Sequence, residues 1–140
     1  MELIIKASDK ELERVLDFIH QQLPSDCETD LLYKIDLAAE EIFVNIAHYA
    51  YKEKSPQEES GSVWLNCCFE DNTLTMIFKD TGIPFNPLAK ADPDITLSAK
   101  ERSIGGLGIY LTKKYMDSID YKYEDGANIL TMKKMIFRCH

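Results

Sequence analysis

Basic residues are in short supply in this chain. Its 140 residues include 16 Lys and Arg against 24 Asp and Glu, a formal net charge of −8. That balance excludes a broad nucleic-acid backbone surface, which needs clustered cations. It does not exclude a single nucleotide, whose three phosphates can be handled by local groups and Mg²⁺. Cysteine is sparse too: Cys27, Cys67, Cys68 and Cys139, with no Cys-x-x-Cys pair and no zinc spacing. We expect reduced packing residues, as in the cytoplasm. No stretch reaches the roughly 20 apolar residues of a membrane span. The opening MELIIKASDK meets charges directly after its short apolar run, unlike a signal peptide, so a cytoplasmic protein without membrane contact is expected. Internal repeats and linker-like segments are also missing, which predicts one domain over 1–140.

Apolar residues, at 45% of the chain, are sufficient for a real core. Leu3-Ile4-Ile5 reads as a short strand. Ser8 or Asp9 caps a helix whose apolar positions Leu12, Val15, Leu16, Ile19 and Leu23 follow helical spacing, until Pro24 and Ser25 stop it. A second helix starts near Glu28–Asp30 and runs to about Lys52, with apolar residues at 31, 35, 38, 42, 46 and 49. Ser62–Phe69 and Thr73–Lys79 read as a hairpin around Glu70-Asp71-Asn72. Asp80–Ser103 is irregular, and so long a loop is functional or disordered. Helical spacing returns over Gly108–Met116. Ser118–Tyr123 and Asn128–Met135 form strands around Glu124-Asp125-Gly126-Ala127. Strands and helices in runs predict an α+β two-layer sandwich, with a mixed, mostly antiparallel sheet and helices on one face.

Three places carry chemistry. In the second helix Glu41, Asn45 and His48 are spaced four and three apart and share a stripe within an otherwise apolar helix. The stripe is either a hydrogen-bonded cluster or the wall of a pocket. A carboxylate and an amide carbonyl offer the hard oxygens Mg²⁺ takes, and the carboxylate could orient or deprotonate a hydroxyl. Next, DTGIPFNP (Asp80–Pro87) follows a strand directly. Asp80 could accept from an exocyclic amine, and Gly82 would let the backbone approach a planar ligand; an ordinary turn is the alternative. Last, GGLGIYL (Gly105–Leu111) leads into a helix. It presents backbone N–H groups to an anion, or it is merely a flexible cap.

The order of these pieces resembles the GHKL ATPase superfamily of gyrase, heat-shock chaperone, histidine kinase and MutL type. Glu41-x-x-x-Asn45 looks like its N box, and Asp80-x-Gly82 and Gly106-x-Gly108 look like its glycine boxes. The loop Asn86–Ile104 would be the ATP lid. Within the superfamily, AAEEIFVNIAHYAY, DTGIPFNP and GGLGIYLTKKYMD resemble the stand-alone anti-sigma factor serine/threonine kinases. The resemblance covers roughly residues 5–135.

By that resemblance Glu41 is the catalytic base and Asn45 holds Mg²⁺ on the triphosphate of ATP. Asp80 binds the adenine amine, with Gly82, Ile83, Pro84 and Phe85 around the ring and Thr131 assisting through water. His48 lines the pocket edge or packs. Gly105, Gly106, Leu107, Gly108 and Ile109 cradle the phosphates, and Arg102 is the lid cation. Asn86 stands where many relatives carry Asp. The resemblance implies an ATP-dependent kinase that phosphorylates an anti-sigma factor antagonist on Ser or Thr and regulates a sigma factor, with no direct nucleic-acid contact. Relatives of this kind often dimerise. The competing reading is a non-catalytic ATP/ADP switch governing partner affinity. A two-component sensor core is disfavoured, because His20 lies in a helix too short for a phospho-acceptor hairpin.

Overall fold

The computed structural model describes residues 1–51, 61–89 and 107–136. The elements are β1 (Glu2–Lys6), α1 (Leu12–Gln22), α2 (Thr29–Asn45), β2 (Ser62–Glu70), β3 (Thr73–Asp80), α3 (Leu107–Tyr115), β4 (Ser118–Glu124) and β5 (Ala127–Met135). The strands form one sheet in the order β1-β2-β3-β5-β4. Sequence left a mixed sheet open; every pair in this sheet is antiparallel. Two-residue turns explain two of those pairs. Asp71 and Asn72 both take positive φ (53° and 59°), as do Asp125 and Gly126 (52° and 78°). A loop of this kind matches the twist of the strands it joins.

Strand alternation decides which face is covered. Val63, Leu65 and Cys67 of β2, Leu74, Met76 and Phe78 of β3, and Leu130 and Met132 of β5 are all buried. Their neighbours Asn66, Cys68, Lys79 and Lys133 are exposed on the other face. The buried face meets Val15, Phe18 and Ile19 of α1 and Ile35, Ala38, Ala39, Ile42 and Phe43 of α2 in one core. Removing this area from water, at about 25 cal/mol per Å² of apolar surface, drives the two layers together. The result is an α+β two-layer sandwich with the helices on one face, as the sequence implied. Cys27, Cys67 and Cys68 are free thiols. Among the described residues no helix is long and apolar enough to cross a membrane.

Local chemistry shapes the helix ends. The Ser8 hydroxyl caps a single 3₁₀ turn, Asp9–Glu11, before α1 begins. The second helix does not run straight to Lys52. At Asn45 its α-geometry gives way to a π-helical segment, Ile46–Ala50. Such wide turns cluster at functional sites.

Candidate functional site

The π-helical segment ends against the turn that follows β3. Ile83 N–H donates to the Ala50 carbonyl at 2.8 Å. A β-carbon at position 82 would lie 2.0 Å from that same carbonyl oxygen. The helix alone therefore demands glycine at 82. Its N–H turns back to Asp80 Oδ1 at 2.9 Å. Next door, the Tyr51 hydroxyl accepts from Thr81 N–H at 2.9 Å and donates to the Ser62 carbonyl at 2.6 Å.

Asp80 closes β3 and is 3% exposed. Burial pushes its carboxyl up from the ordinary value, and hydrogen bonds from Asn128 and Gly82 pull part of the way back. Both of those bonds fall on Oδ1. Among the described residues no donor meets Oδ2. Among the described residues Asp80 thus commits one carboxylate oxygen and leaves the other unclaimed, on the lining of a pocket it shares with Ile42, Asn45, Ile46, Phe78, Phe85 and Tyr121. Its walls are chiefly apolar and aromatic with a few polar groups, the make-up of small-molecule sites.

Directly before the π segment, Asn45 donates through Nδ2 to the Glu41 carbonyl at 2.8 Å and to Glu41 Oε1 at 3.0 Å. Both amide hydrogens are thereby spent, and among the described residues no donor meets the carbonyl oxygen Oδ1. The Glu41 carboxylate abuts the first turn of α3. There Gly108 lacks a β-carbon and its carbonyl accepts from the buried Thr112 hydroxyl at 2.8 Å. Asn45 lines the pocket together with Asp80 and Phe85, and through Glu41 it connects to the start of α3.

The predicted residues divide on this geometry. Glu41, Asn45, Asp80, Phe85 and Gly108 are brought together. Ile83 contributes backbone at the turn, and Pro84 is exposed. His48 does not reach the pocket: it is exposed, and its Nε2 lies 2.8 Å from Asp9 Oδ2. Ile109 belongs to the core at 5% exposure. Leu107 is 43% exposed at the start of α3. Thr131 is out of phase with the buried Leu130 and Met132, so it lies on the opposite face of the sheet. Arg102, Gly105, Gly106 and the lid beyond residue 89 fall outside the described residues.

Sequence reasoning missed Asn128 and Tyr121. Asn128 pairs with Asp80 across β3 and β5 and lines the pocket beside Tyr121. The alternation in Asn128-Ile129-Leu130-Thr131-Met132 held the signal, because the apolar Leu130 and Met132 put Asn128, not Thr131, on the covered face.

The sequence matches the family of histidine kinase-like ATPase domains over residues 5–134. Curated relatives include proteins named serine-protein kinase RsbW from Bacillus cereus (strain AH820), 29% identical over 108 residues, and from Bacillus mycoides (strain KBAB4), 28% identical over 108 residues. Each match covers 74% of this chain, and the chain spans only 64% of those relatives' length. Among solved structures, the RsbU and RsbW domains of Rv1364c from Mycobacterium tuberculosis share the fold. The TM-score is 0.65 at 12% identity, over 99% of this chain and 33% of that one. With nearly its whole length matched, the chain belongs to the histidine kinase-like ATPase domain family.

Proposed function

We propose that this chain is an ATP-dependent protein serine/threonine kinase whose acceptor is a small anti-sigma factor antagonist, and which thereby controls a sigma factor. The observation that carries the reading is the Glu41–Asn45 pair, packed at the start of α3 on a pocket that also holds Asp80. Asp80 Oδ2 accepts from the 6-amino group of adenine, while Ile42, Ile46, Phe78 and Phe85 bound the ring. Asn45 supplies one hard oxygen, Oδ1, which fits a Mg²⁺ ion held chiefly by phosphate oxygens and water. Bound there, such an ion would supply charge neutralisation to the phosphates.

Glu41 then accepts the proton of the acceptor hydroxyl as its oxygen bonds to the γ-phosphorus and the bond to the leaving ADP breaks. Within the Glu41–Asn45 pair, only one carboxylate oxygen is committed to the amide. Positioning and charge neutralisation are the sources of rate in such a transfer. Backbone N–H groups around Gly105, Gly106 and Gly108, with Arg102, complete the phosphate end by family resemblance.

The test uses the full chain, radiolabelled ATP and any small proteins encoded beside it. Wild type is expected to label one of them on Ser or Thr. Glu41→Ala is expected to lose labelling while its ATP affinity stays within a few-fold. A wild-type protein that binds ATP yet labels no such partner supports the binding switch instead.

A further inference from the structure

We infer that Asn128, braced by Tyr121, is the positioning residue of the base site and sets its preference for a 6-amino purine; this rests on the nucleotide reading above. Asn128 is 5% exposed, and every hydrogen-bonding capacity of its side chain is spent within the protein. Nδ2 donates to Asp80 Oδ1 at 2.8 Å and to the Ile83 carbonyl at 2.9 Å. Oδ1 accepts from Phe85 N–H at 3.1 Å and from the Tyr121 hydroxyl. Two donors and two lone pairs are all that a carboxamide has. Asn128 therefore has nothing to offer a ligand directly and must act through what it holds.

What it holds is the recognition edge. One bond fixes Asp80 with Oδ2 left over. The other backbone bonds fix Ile83 and Phe85, so the turn that carries the aromatic wall is locked to the same amide. The Tyr121 hydroxyl completes the set, which settles the orientation of the amide and with it which atom faces Asp80. A carboxylate turned by a few tens of degrees would lose the directional bond to an exocyclic amine while the apolar walls still received the ring.

The experiment compares affinity for ATP with affinity for purine riboside triphosphate, which lacks the 6-amino group, in wild type, Asn128→Leu and Tyr121→Phe. Wild type is expected to favour ATP about tenfold to a hundredfold, as for a hydrogen bond to a charged group. Asn128→Leu is expected to bring the ratio near one, and Tyr121→Phe to cut it several-fold, each mainly by weakening ATP. Should Asn128→Leu fail to fold, Tyr121→Phe decides alone, since it removes only one hydroxyl from a half-buried position. Folded variants that keep the wild-type ratio, or that lose both nucleotides equally, overturn the positioning role and leave the base site standing. A wild-type ratio near one takes down the base-site reading and this inference together.

Discussion

Glu41 and Gly108 compete for one space: a β-carbon on residue 108 would stand 2.1 Å from the Glu41 carboxyl carbon. The flexible end of Glu41 is what must yield, so Gly108→Ala moves the carboxylate rather than breaking the fold. Alanine also gains up to about 1 kcal/mol over glycine inside a helix. The expected outcome is a melting temperature at or above wild type, with phosphoryl transfer down on the order of a hundredfold, the scale set by misplacing a reacting group by about 1 Å. Calorimetry beside a transfer assay checks it. Full activity in Gly108→Ala would separate Glu41 from the chemistry.

Gly82→Ala poses the opposite case. Its β-carbon would meet the Ala50 carbonyl, a backbone group, at 2.0 Å. Neither partner can swing aside, so the turn and the π-helical segment must part. Overpacking of this sort costs about 1–3 kcal/mol. Chemical denaturation is expected to show that loss, together with weakened ATP binding, because the Ile83–Ala50 hydrogen bond at 2.8 Å goes with it.

Asp80 makes stability depend on pH with a definite sign. Burial raises its carboxyl pKa in the native state. Between the unfolded and native values the folded chain holds the extra proton, so stability falls as pH rises through that window and stays reduced above it. Asp80→Asn keeps the shape and an acceptor for Asn128 and Gly82 without the charge. It is expected to melt at or above wild type at neutral pH, to lose this contribution to the slope on the acidic side, and to bind ATP at least tenfold more weakly. Stability measured from pH 4 to 8 in both proteins tests the sign; a variant less stable than wild type at neutral pH contradicts it.

The thiols offer a check on burial. Cys67 is buried and its thiol is pushed up to about 12, while its neighbour Cys68 is exposed on the open face of the sheet. Burial together with the nearby Asp26, Glu28 and Asp36 carboxylates also raises the Cys27 thiol. Since the thiolate is the reactive form, alkylation of the native protein near pH 8 is expected to mark Cys68 well before Cys67. Peptide mass analysis over time reads the order. Equal rates for the two would mean that β2 is not held in this register.

Much of the fold is legible because local rules and global packing agree. The hairpin of β2 and β3 was expected over Ser62–Phe69 and Thr73–Lys79, and each strand extends by one residue, to Glu70 and Asp80. Asp71-Asn72 and Asp125-Gly126 are residues that tolerate positive φ, so both turns announced themselves. The π segment did not, because apolar spacing at 42, 46 and 49 suits either winding and no residue type marks the extra one. His48 fell on the predicted stripe with Glu41 and Asn45, but the changed winding and a partner far away in sequence, Asp9, place it at the surface. Gly82 was legible as a glycine that admits a close approach, while the Ala50 carbonyl that makes one was not, since it arrives from more than thirty residues upstream. Thr131 matches a motif position, but the two-residue period of its own strand turns it away from the covered face that holds Leu130 and Met132.

One continuous helical rod carries both Asn45 and the Ala50 carbonyl against which the Asp80 turn is seated. On the proposed reading, the gap between the two ends of a bound nucleotide is then gauged by a stiff backbone instead of a loop. A diphosphate and a triphosphate would dock their bases at the same depth and differ only in how far their tails extend beyond Asn45, so the protein could count phosphates without reseating the ring.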